Sequence, residues 1–343
     1  MKEDNNLVSR VKRYSRVTTS LTSLATKFAG KKYLNFDLSD QKYAAQITEI
    51  LGNLKGPLMK VAQLSATIPD LLPEEYARKL AELQSNAPPM SWVFVKRRMK
   101  AELGDNWENN FSSFDKEASF AASLGQVHKA KLKNNEIVAC KLQYPDMSSA
   151  VEADLNQLKI IFKIYSSYNK SIQIREIYKE IEARLKEELD YKLEHRHLKI
   201  FEYMHKKNSF IKIPKVYKNI STQRLLVMEY LDGKKLIEYK NSSQKIRNEL
   251  AKNLFMAWYL PFYKYGIIHG DPHLGNYSVN KDNNINLFDY GCIRVFPAKF
   301  VKGVIDLYFA LKEKNDQKIK LAYKAWGFND IDDGLMKVLN KWA

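Results

Sequence analysis

The sequence predicts an α+β fold, with mainly helical regions at both ends of the chain and strands between them. Two apolar runs of strand length, Ile137–Leu142 and Leu225–Leu231, are rich in branched side chains and indicate buried strands. Residues 1–115 and 232–343 are dominated by helical patterns. We therefore expect a helical amino-terminal region over 1–115, a mixed domain over 116–231 and a mainly helical domain over 232–343.

The length of the chain indicates how many domains it can form, and its cysteine content indicates the redox state of its compartment. The 343 residues are enough for two domains or for one domain with an extension, although the chain ends inside a helical pattern, which leaves an incomplete carboxy-terminal domain open. The two cysteines, Cys140 and Cys292, form no disulfide framework, which favours a reducing compartment.

The formal net charge of +17 calls for a negatively charged partner or surface. Nucleic acid is not expected, because the sequence has no zinc-ligand spacing and no strand typical of RNA-binding domains. Residues 1–32 form a basic amphipathic segment, which could lie on an anionic membrane or pack against the rest of the protein. Without a signal peptide or an apolar run of about 18 residues, we expect a cytoplasmic protein, and peripheral contact with the inner face of the membrane remains an open alternative.

Two polar loops near the carboxy-terminal end indicate the chemistry. The segment His269–Asn276 reads H-x-D-x-x-x-x-N, and Asp289-Tyr290-Gly291 begins thirteen residues after the asparagine. In protein kinases the first loop supplies an Asp that handles the acceptor proton and an Asn that binds magnesium, and the second supplies a metal-binding Asp. We assign these roles to Asp271, Asn276 and Asp289. An isolated Asp in such a loop is as often a turn former or helix cap, so the pairing of the loops carries the argument. His269 is expected to pack and hydrogen-bond to backbone.

A nucleotide site of this type also needs a lysine on an upstream strand, and Lys141 lies within the apolar run Ile137–Leu142. A lysine in such a run is costly unless its ammonium reaches an anion, so Lys141 is the expected phosphate contact. The later run Leu225–Leu231 is similar to a kinase hinge, with Met228 as gatekeeper and the backbone of Glu229 to Leu231 available to adenine. An ordinary core strand is the alternative.

The loop that covers the phosphates in kinases is glycine-rich, but here the position carries Ala121, Ala122 and Ser123. Alanine resists the positive φ angles that glycine accepts, so this loop must approach a nucleotide differently.

Together these motifs resemble those of the UbiB/ADCK family of atypical protein-kinase-like proteins over residues 50–310. Lys60-Val61-Ala62-Gln63 is similar to the family's K-x-G-Q motif with alanine for glycine, and Phe120-Ala121-Ala122-Ser123 is similar to its A-A-A-S loop. Glu188-Leu189-Asp190 matches its E-x-D motif, and Glu194 follows.

The resemblance implies a two-lobed atypical protein-kinase-like fold with the helical extension over the active site. It implies that Lys141 pairs with Glu194 and that Glu188 and Asp190 form a second polar cluster with Lys60 and Gln63. We expect one helical stretch from Val151 to His205, with Asp190 and Glu194 on one side. A solvated acidic helix is the alternative reading.

The resemblance further implies ATP or ADP with Mg²⁺ as cofactors, and a role in ubiquinone or related isoprenoid-quinone biosynthesis with quinone-biosynthesis proteins and lipid precursors as partners. An extension that occludes the protein-substrate site favours ATP hydrolysis or phosphorylation of a small molecule. Two other functions remain open: a small-molecule kinase of the aminoglycoside or choline phosphotransferase type, and a nucleotide-gated pseudokinase scaffold.

Overall fold

The computed structural model describes most of the chain beyond residue 88. The described residues are 89–121, 124–152, 155–156, 159, 174–271 and 273–341. Lys60, Gln63, Ala122, Ser123 and the basic amphipathic segment lie outside them, so the expectations for these residues stay predictions.

Among the described residues, the chain divides into two compact units. The first unit comprises the residues up to Leu193 together with Val216–Tyr230, and the second comprises Glu194–Lys215 and the residues from Leu231 onward. The predicted division at residue 231 remains a prediction, and the segment 194–215, expected in the mixed domain, groups with the second unit.

The described helices and strands are numbered here in chain order. The helices are α1 (Trp92–Leu103), α2 (Ile174–Glu188), α3 (Tyr191–His205), α4 (Gln244–Tyr265), α5 (Ala298–Lys312), α6 (Asp316–Ala325) and α7 (Asp333–Leu339). The strands are β1 (Phe111–Phe114), β2 (Phe120–Ala121), β3 (Gly125–Leu132), β4 (Ile137–Gln143), β5 (Ile211–Lys212), β6 (Leu225–Glu229), β7 (Lys234–Lys235), β8 (Ile267–His269), β9 (Tyr277–Val279), β10 (Ile285–Leu287) and β11 (Ile293–Val295).

The first unit is built on an antiparallel sheet with the order β1-β3-β4-β6, and β2 pairs with β3. The two apolar runs that predicted buried strands are β4 and β6, so that prediction is confirmed. Val95 and Met99 of α1 are fully buried in one cluster with Trp107 and with Val138 and other sheet residues. This apolar core fixes β4, the strand that carries Lys141.

A buried charged cluster joins α1 to the ends of two strands. Arg98 on α1 donates from Nε to the Gln143 carbonyl and from Nη2 to the Tyr144 carbonyl, each at 3.2 Å. Glu102 accepts from Arg98 Nη1 at 3.2 Å, from Arg224 Nε at 2.8 Å and from Thr222 Oγ1 at 2.6 Å. The Arg98 and Glu102 side chains are only 3% and 6% exposed. The charges of Arg98 and Glu102 therefore compensate each other where water is largely excluded, whereas the Arg224 side chain is 42% exposed.

The expected single helix through residue 190 is wrong, because α2 ends at Glu188 and α3 begins at Tyr191. Asp190 is the reason: its Oδ1 accepts from the backbone N–H groups of Lys192 at 3.0 Å and Leu193 at 3.1 Å. A side chain that binds the second and third N–H groups of a helix is an N-cap, which starts a new helix. Asp190 therefore precedes the helix that carries Glu194, and the two residues do not share one face of a continuous helix.

The second unit contains a sheet with the order β5-β10-β9-β7 and a separate antiparallel pair of β8 and β11. Helix α4 ends at Gly266, whose φ of 69° gives a left-handed cap and turns the chain into β8. The pairing of β8 with β11 brings the start of the first polar loop close to the end of the second. No described helix combines the length and the low polarity needed to cross a membrane.

Candidate active site

The first polar loop follows β8 and is held by the side chain of His269. This imidazole is 1% exposed. Its Nε2 lies 2.7 Å from the Asp289 carbonyl, and its Nδ1 lies 3.3 Å from the Asp271 amide nitrogen. The amide can only donate, so Nδ1 accepts and Nε2 carries the proton. His269 therefore links the two loops through backbone groups, and the expectation that it packs and hydrogen-bonds to backbone is confirmed.

Asp271 and Asn276 are in direct contact across the loop. The Asn276 amide nitrogen donates to the Asp271 carboxylate at 3.1 Å and to the Asp271 carbonyl at 3.2 Å. The short 3-10 turn Leu274–Asn276 makes this return possible. Because the nitrogen of Asn276 is occupied by Asp271, its oxygen is the atom left to meet a cation.

The second loop follows β10, and Phe288, the first residue after that strand, donates its N–H to the Asn276 carbonyl at 2.9 Å. Asp289 then adopts a φ of 55°, a left-handed conformation that is uncommon outside glycine and is tolerated best by Asn and Asp. Its Oδ1 accepts from the Gly291 N–H at 3.3 Å. Unusual backbone conformations of this kind concentrate at functional sites.

Glycine at position 270 lets the loops approach each other closely. Gly270 donates its N–H to the Cys292 carbonyl at 2.8 Å. A Cβ at position 270 would lie 2.4 Å from the Cys292 sulfur. Cys292 is 8% exposed, and its sulfur fills this space.

Tyr290 anchors the second loop in the core of its unit. Its ring is fully buried and packs against Phe201 and His269, with centroid distances of 5.0 and 5.4 Å. Its carbonyl lies 2.8 Å from Nδ1 of His197 on α3. Its hydroxyl has no hydrogen-bond partner among the described residues. Burial holds the pKa of Tyr290 well above its usual value.

We expect Tyr290→Phe to raise the free energy of unfolding by about 1 kcal/mol, because it removes a buried hydroxyl without a partner while keeping the ring. Tyr323→Phe is the matched control. Tyr323 is 1% exposed and donates its hydroxyl to Asn340 at 2.9 Å, so its loss should cost about 1 kcal/mol. Urea unfolding measures the free energy of unfolding of both variants. An equal loss of stability in the two variants would contradict the absence of a hydrogen-bond partner for the Tyr290 hydroxyl.

The lysine predicted to contact phosphates lies on β4, where Lys141 pairs with Val127 on one side and Leu226 on the other. Its ammonium lies 5.2 Å from the ring centroid of Tyr191, within the range of a cation–π interaction. In the alanine-containing loop that precedes this strand in sequence, Ala121 is the last residue of β2 and pairs with Gln126.

The hinge-like strand β6 pairs with β4 in a regular antiparallel register. Met228 is 7% exposed and pairs with Ala139, while Tyr230 donates its N–H to the Ile137 carbonyl at 3.1 Å. Hydrogen-bonded pairs alternate along an antiparallel ladder. Glu229 lies between the two, so its backbone groups point away from β4. Leu231 begins the continuation of the chain in the second unit.

Sequence reasoning missed Asn286, which supports the turn that follows Leu231. This side chain is 1% exposed and donates to the Asp232 carbonyl and to the Ser278 hydroxyl, each at 2.9 Å. A Cβ on Gly233 would lie 2.6 Å from that hydroxyl. The available signal was an asparagine inside the apolar run of β10, because a buried polar side chain needs partners.

The structure places the family-motif residues as follows. Glu188 ends α2, Asp190 caps α3, and Glu194 is 1% exposed in the first turn of α3. The pairing of Lys141 with Glu194 remains a prediction, as does the cluster of Glu188 and Asp190 with the amino-terminal residues.

Asn276 and Asp289 present the oxygen ligands that Mg²⁺ prefers. Asn276 offers an amide oxygen, and Asp289 offers a carboxylate whose Oδ1 accepts from the Gly291 N–H. Two protein oxygens fit this ion, which usually binds one or two protein groups, substrate phosphates and water.

Comparison with known proteins gives consistent results. The model of the ABC1 atypical kinase-like domain matches residues 82–323. The atypical kinase COQ8 of Saccharomyces cerevisiae mitochondria is 30% identical over 285 residues, covering 81% of this chain and 57% of that protein. The chloroplast ACTIVITY OF BC1 COMPLEX KINASE 7 of Arabidopsis thaliana is 31% identical over 281 residues, covering 80% and 40%. AarF domain-containing protein kinase 1 of Gallus gallus is 29% identical over 321 residues, covering 91% and 62%.

This chain thus spans between about two fifths and three fifths of the length of these relatives. Among solved structures, the complex of Rv3197 with erythromycin from Mycobacterium tuberculosis has a TM-score of 0.62 and 27% identity, covering 85% of this chain and 76% of that one. The expectation of a kinase-like α+β fold is confirmed by the family match and by this neighbour.

Proposed function

The chain belongs to the ABC1 atypical kinase-like family, and from that premise we propose that it is a Mg²⁺-dependent ATP-binding kinase or ATPase that supports isoprenoid-quinone biosynthesis. Relatives that are 29% and 30% identical to this chain are named kinases. The proposal extends this class to a reaction, a cofactor and a pathway.

The observation that carries the proposal is the joined pair of polar loops. Asp271 contacts Asn276, and the strand leading to Asp289 donates to the backbone of Asn276. Asp271 would orient or deprotonate the attacking hydroxyl or water, while Asn276 and Asp289 would hold Mg²⁺ on the phosphates. When bound, the ion would neutralise charge on the transferred phosphoryl group. A nucleotide-binding scaffold would also use Asn276 and Asp289, but it would have no need of Asp271.

Nucleotide recognition would come from the residues that the family resemblance assigns to it. Lys141 would contact the phosphates, Glu194 would orient that lysine, and the backbone near Glu229 would meet adenine. The residues Ala121, Ala122, Ser123 and Leu231 complete the proposed nucleotide site. ATP is the proposed substrate, with ADP as the competing ligand.

The quinone role rests on the family resemblance rather than on any group in the site. The proposed partners are quinone-biosynthesis proteins and their lipid precursors, reached by peripheral contact with an anionic membrane. The net charge of +17 supports such contact, because basic surfaces are attracted to anionic lipid.

The test is phosphate release from MgATP by the purified chain, with and without anionic liposomes that contain a quinone-like phenol. We expect turnover that lipid stimulates, that Asp289→Asn abolishes and that Lys60→Ala alters. Asparagine accepts the left-handed backbone of position 289, so this variant removes charge without adding strain. Nucleotide binding without turnover under every condition would support the scaffold alternative.

The second candidate function is a small-molecule kinase of the aminoglycoside or choline phosphotransferase type, because such enzymes also carry the loop H-x-D-x-x-x-x-N. Such an enzyme has no use for the charge of Asp190. Asp190→Asn is the informative variant, because asparagine also caps helices and so preserves the start of α3. Unchanged turnover would favour the small-molecule kinase, whereas altered turnover with unchanged stability would favour the family-specific cluster.

A further inference from the structure

Lys141 has an aromatic neighbour that the kinase motifs do not include. The ammonium lies 5.2 Å from the ring centroid of Tyr191, and that tyrosine is 2% exposed. We propose that Tyr191 is a positioning residue that holds the Lys141 ammonium in place for a nucleotide phosphate through the face of its ring. This inference rests on the proposed nucleotide binding.

Tyr191 is fixed by its backbone and by the turn before it. Its N–H donates to the Gln223 carbonyl at 3.1 Å, beside the start of β6. The Gln143 side chain, two residues beyond Lys141 on β4, donates to the Leu189 carbonyl at 2.6 Å. Asp190 caps the helix that Tyr191 begins. The backbone around Tyr191 is thus tied to β4, the strand that carries the lysine, and close packing around the buried ring restricts its rotation.

The hydroxyl end of Tyr191 reaches the start of β3. A Cβ on Gly125 would lie 3.1 Å from this hydroxyl and 2.3 Å from the Leu142 carbonyl. Gly125 stands directly after the alanine-containing loop that replaces the phosphate-binding loop of kinases. One buried side chain therefore touches both the lysine strand and the end of that loop.

A ring suits this position because of the way in which it attracts a cation. The face of an aromatic ring is electrostatically negative, and the attraction strengthens when water is excluded. The ring carries no formal charge to compete with a phosphate for the ammonium. A carboxylate partner orients the lysine but also competes for its charge, so the two kinds of contact are complementary.

The test compares side chains of one shape at position 191. Phenylalanine keeps the negative ring face and removes the hydroxyl, whereas pentafluorophenylalanine, incorporated by an expanded genetic code, keeps the shape and reverses the ring's charge distribution. The affinity for MgADP is measured by calorimetry on the full chain, and thermal unfolding is measured without nucleotide. Each change is repeated in a Lys141→Met background, which forms a double-mutant cycle.

We expect Tyr191→Phe to bind MgADP within about threefold of the original chain, and the fluorinated ring to bind about tenfold more weakly. In the Lys141→Met background the two rings should differ by less than about twofold. Equal affinities for the two rings in the original background, or the same tenfold loss in both backgrounds, would overturn the role of Tyr191. Failure of the original chain to bind MgADP would instead reject the proposed function.

Discussion

Glu102→Ala is expected to lower the free energy of unfolding by about 3–5 kcal/mol, as is typical when one partner of a buried ion pair is removed. The substitution leaves the Arg98 guanidinium, whose side chain is 3% exposed, without its carboxylate. It also removes an acceptor of Arg224 and of the Thr222 hydroxyl. Urea unfolding of the purified chain measures the loss as a shift in midpoint at constant slope.

Glu202→Ala is the matched control, because Glu202 pairs with Lys199 on the surface of α3, where both side chains are about half exposed. Exposed pairs contribute roughly 0–1 kcal/mol. Combining Arg98→Met with Glu102→Leu should recover part of the lost stability, since no buried charge is then left without its partner. Similar losses for Glu102→Ala and Glu202→Ala would mean that the cluster is better hydrated than the structure indicates.

Asp271→Asn should reduce phosphate release from MgATP by about a thousandfold, within the usual range for loss of a general base. An amide of the same size cannot take the acceptor proton, but its oxygen can still accept from Asn276. The loop geometry and the affinity for nucleotide should therefore persist. Parallel measurements of phosphate release and nucleotide binding separate the two effects.

Asp282→Asn provides the control for this change, since Asp282 is exposed in the turn between β9 and β10. It should release phosphate at the original rate. Full activity of Asp271→Asn would mean that Asp271 takes no part in the reaction and serves only in its structural contact with Asn276. Loss of nucleotide binding together with turnover would indicate a collapsed loop rather than missing chemistry.

Local patterns predicted the parts of the fold that depend on local chemistry. The strands β4 and β6 followed from apolar runs, and the two polar loops followed from residue spacing, because both signals lie within a few neighbouring positions. The break at Asp190 was missed, although aspartate is a common N-cap, because the acidic residues around it also fit one continuous helix.

Contacts between distant parts of the sequence could not be read in this way. Tyr191 meets Lys141 from fifty residues away in sequence, and Arg98 binds carbonyl groups of residues 143 and 144. Nothing near either residue marks its partner, because the partner is selected by the tertiary packing. Asn286 carried a partial signal, since a polar residue in a buried strand needs hydrogen bonds but does not name them.

The left-handed backbone at Asp289 has an evolutionary consequence. Aspartate and asparagine are among the few side chains that accept this conformation readily, and they differ here by one charge. A single mutational step to asparagine would weaken the metal site while preserving the backbone of the loop. A lineage carrying this architecture could thus exchange catalysis for a purely structural role without first passing through an unstable intermediate.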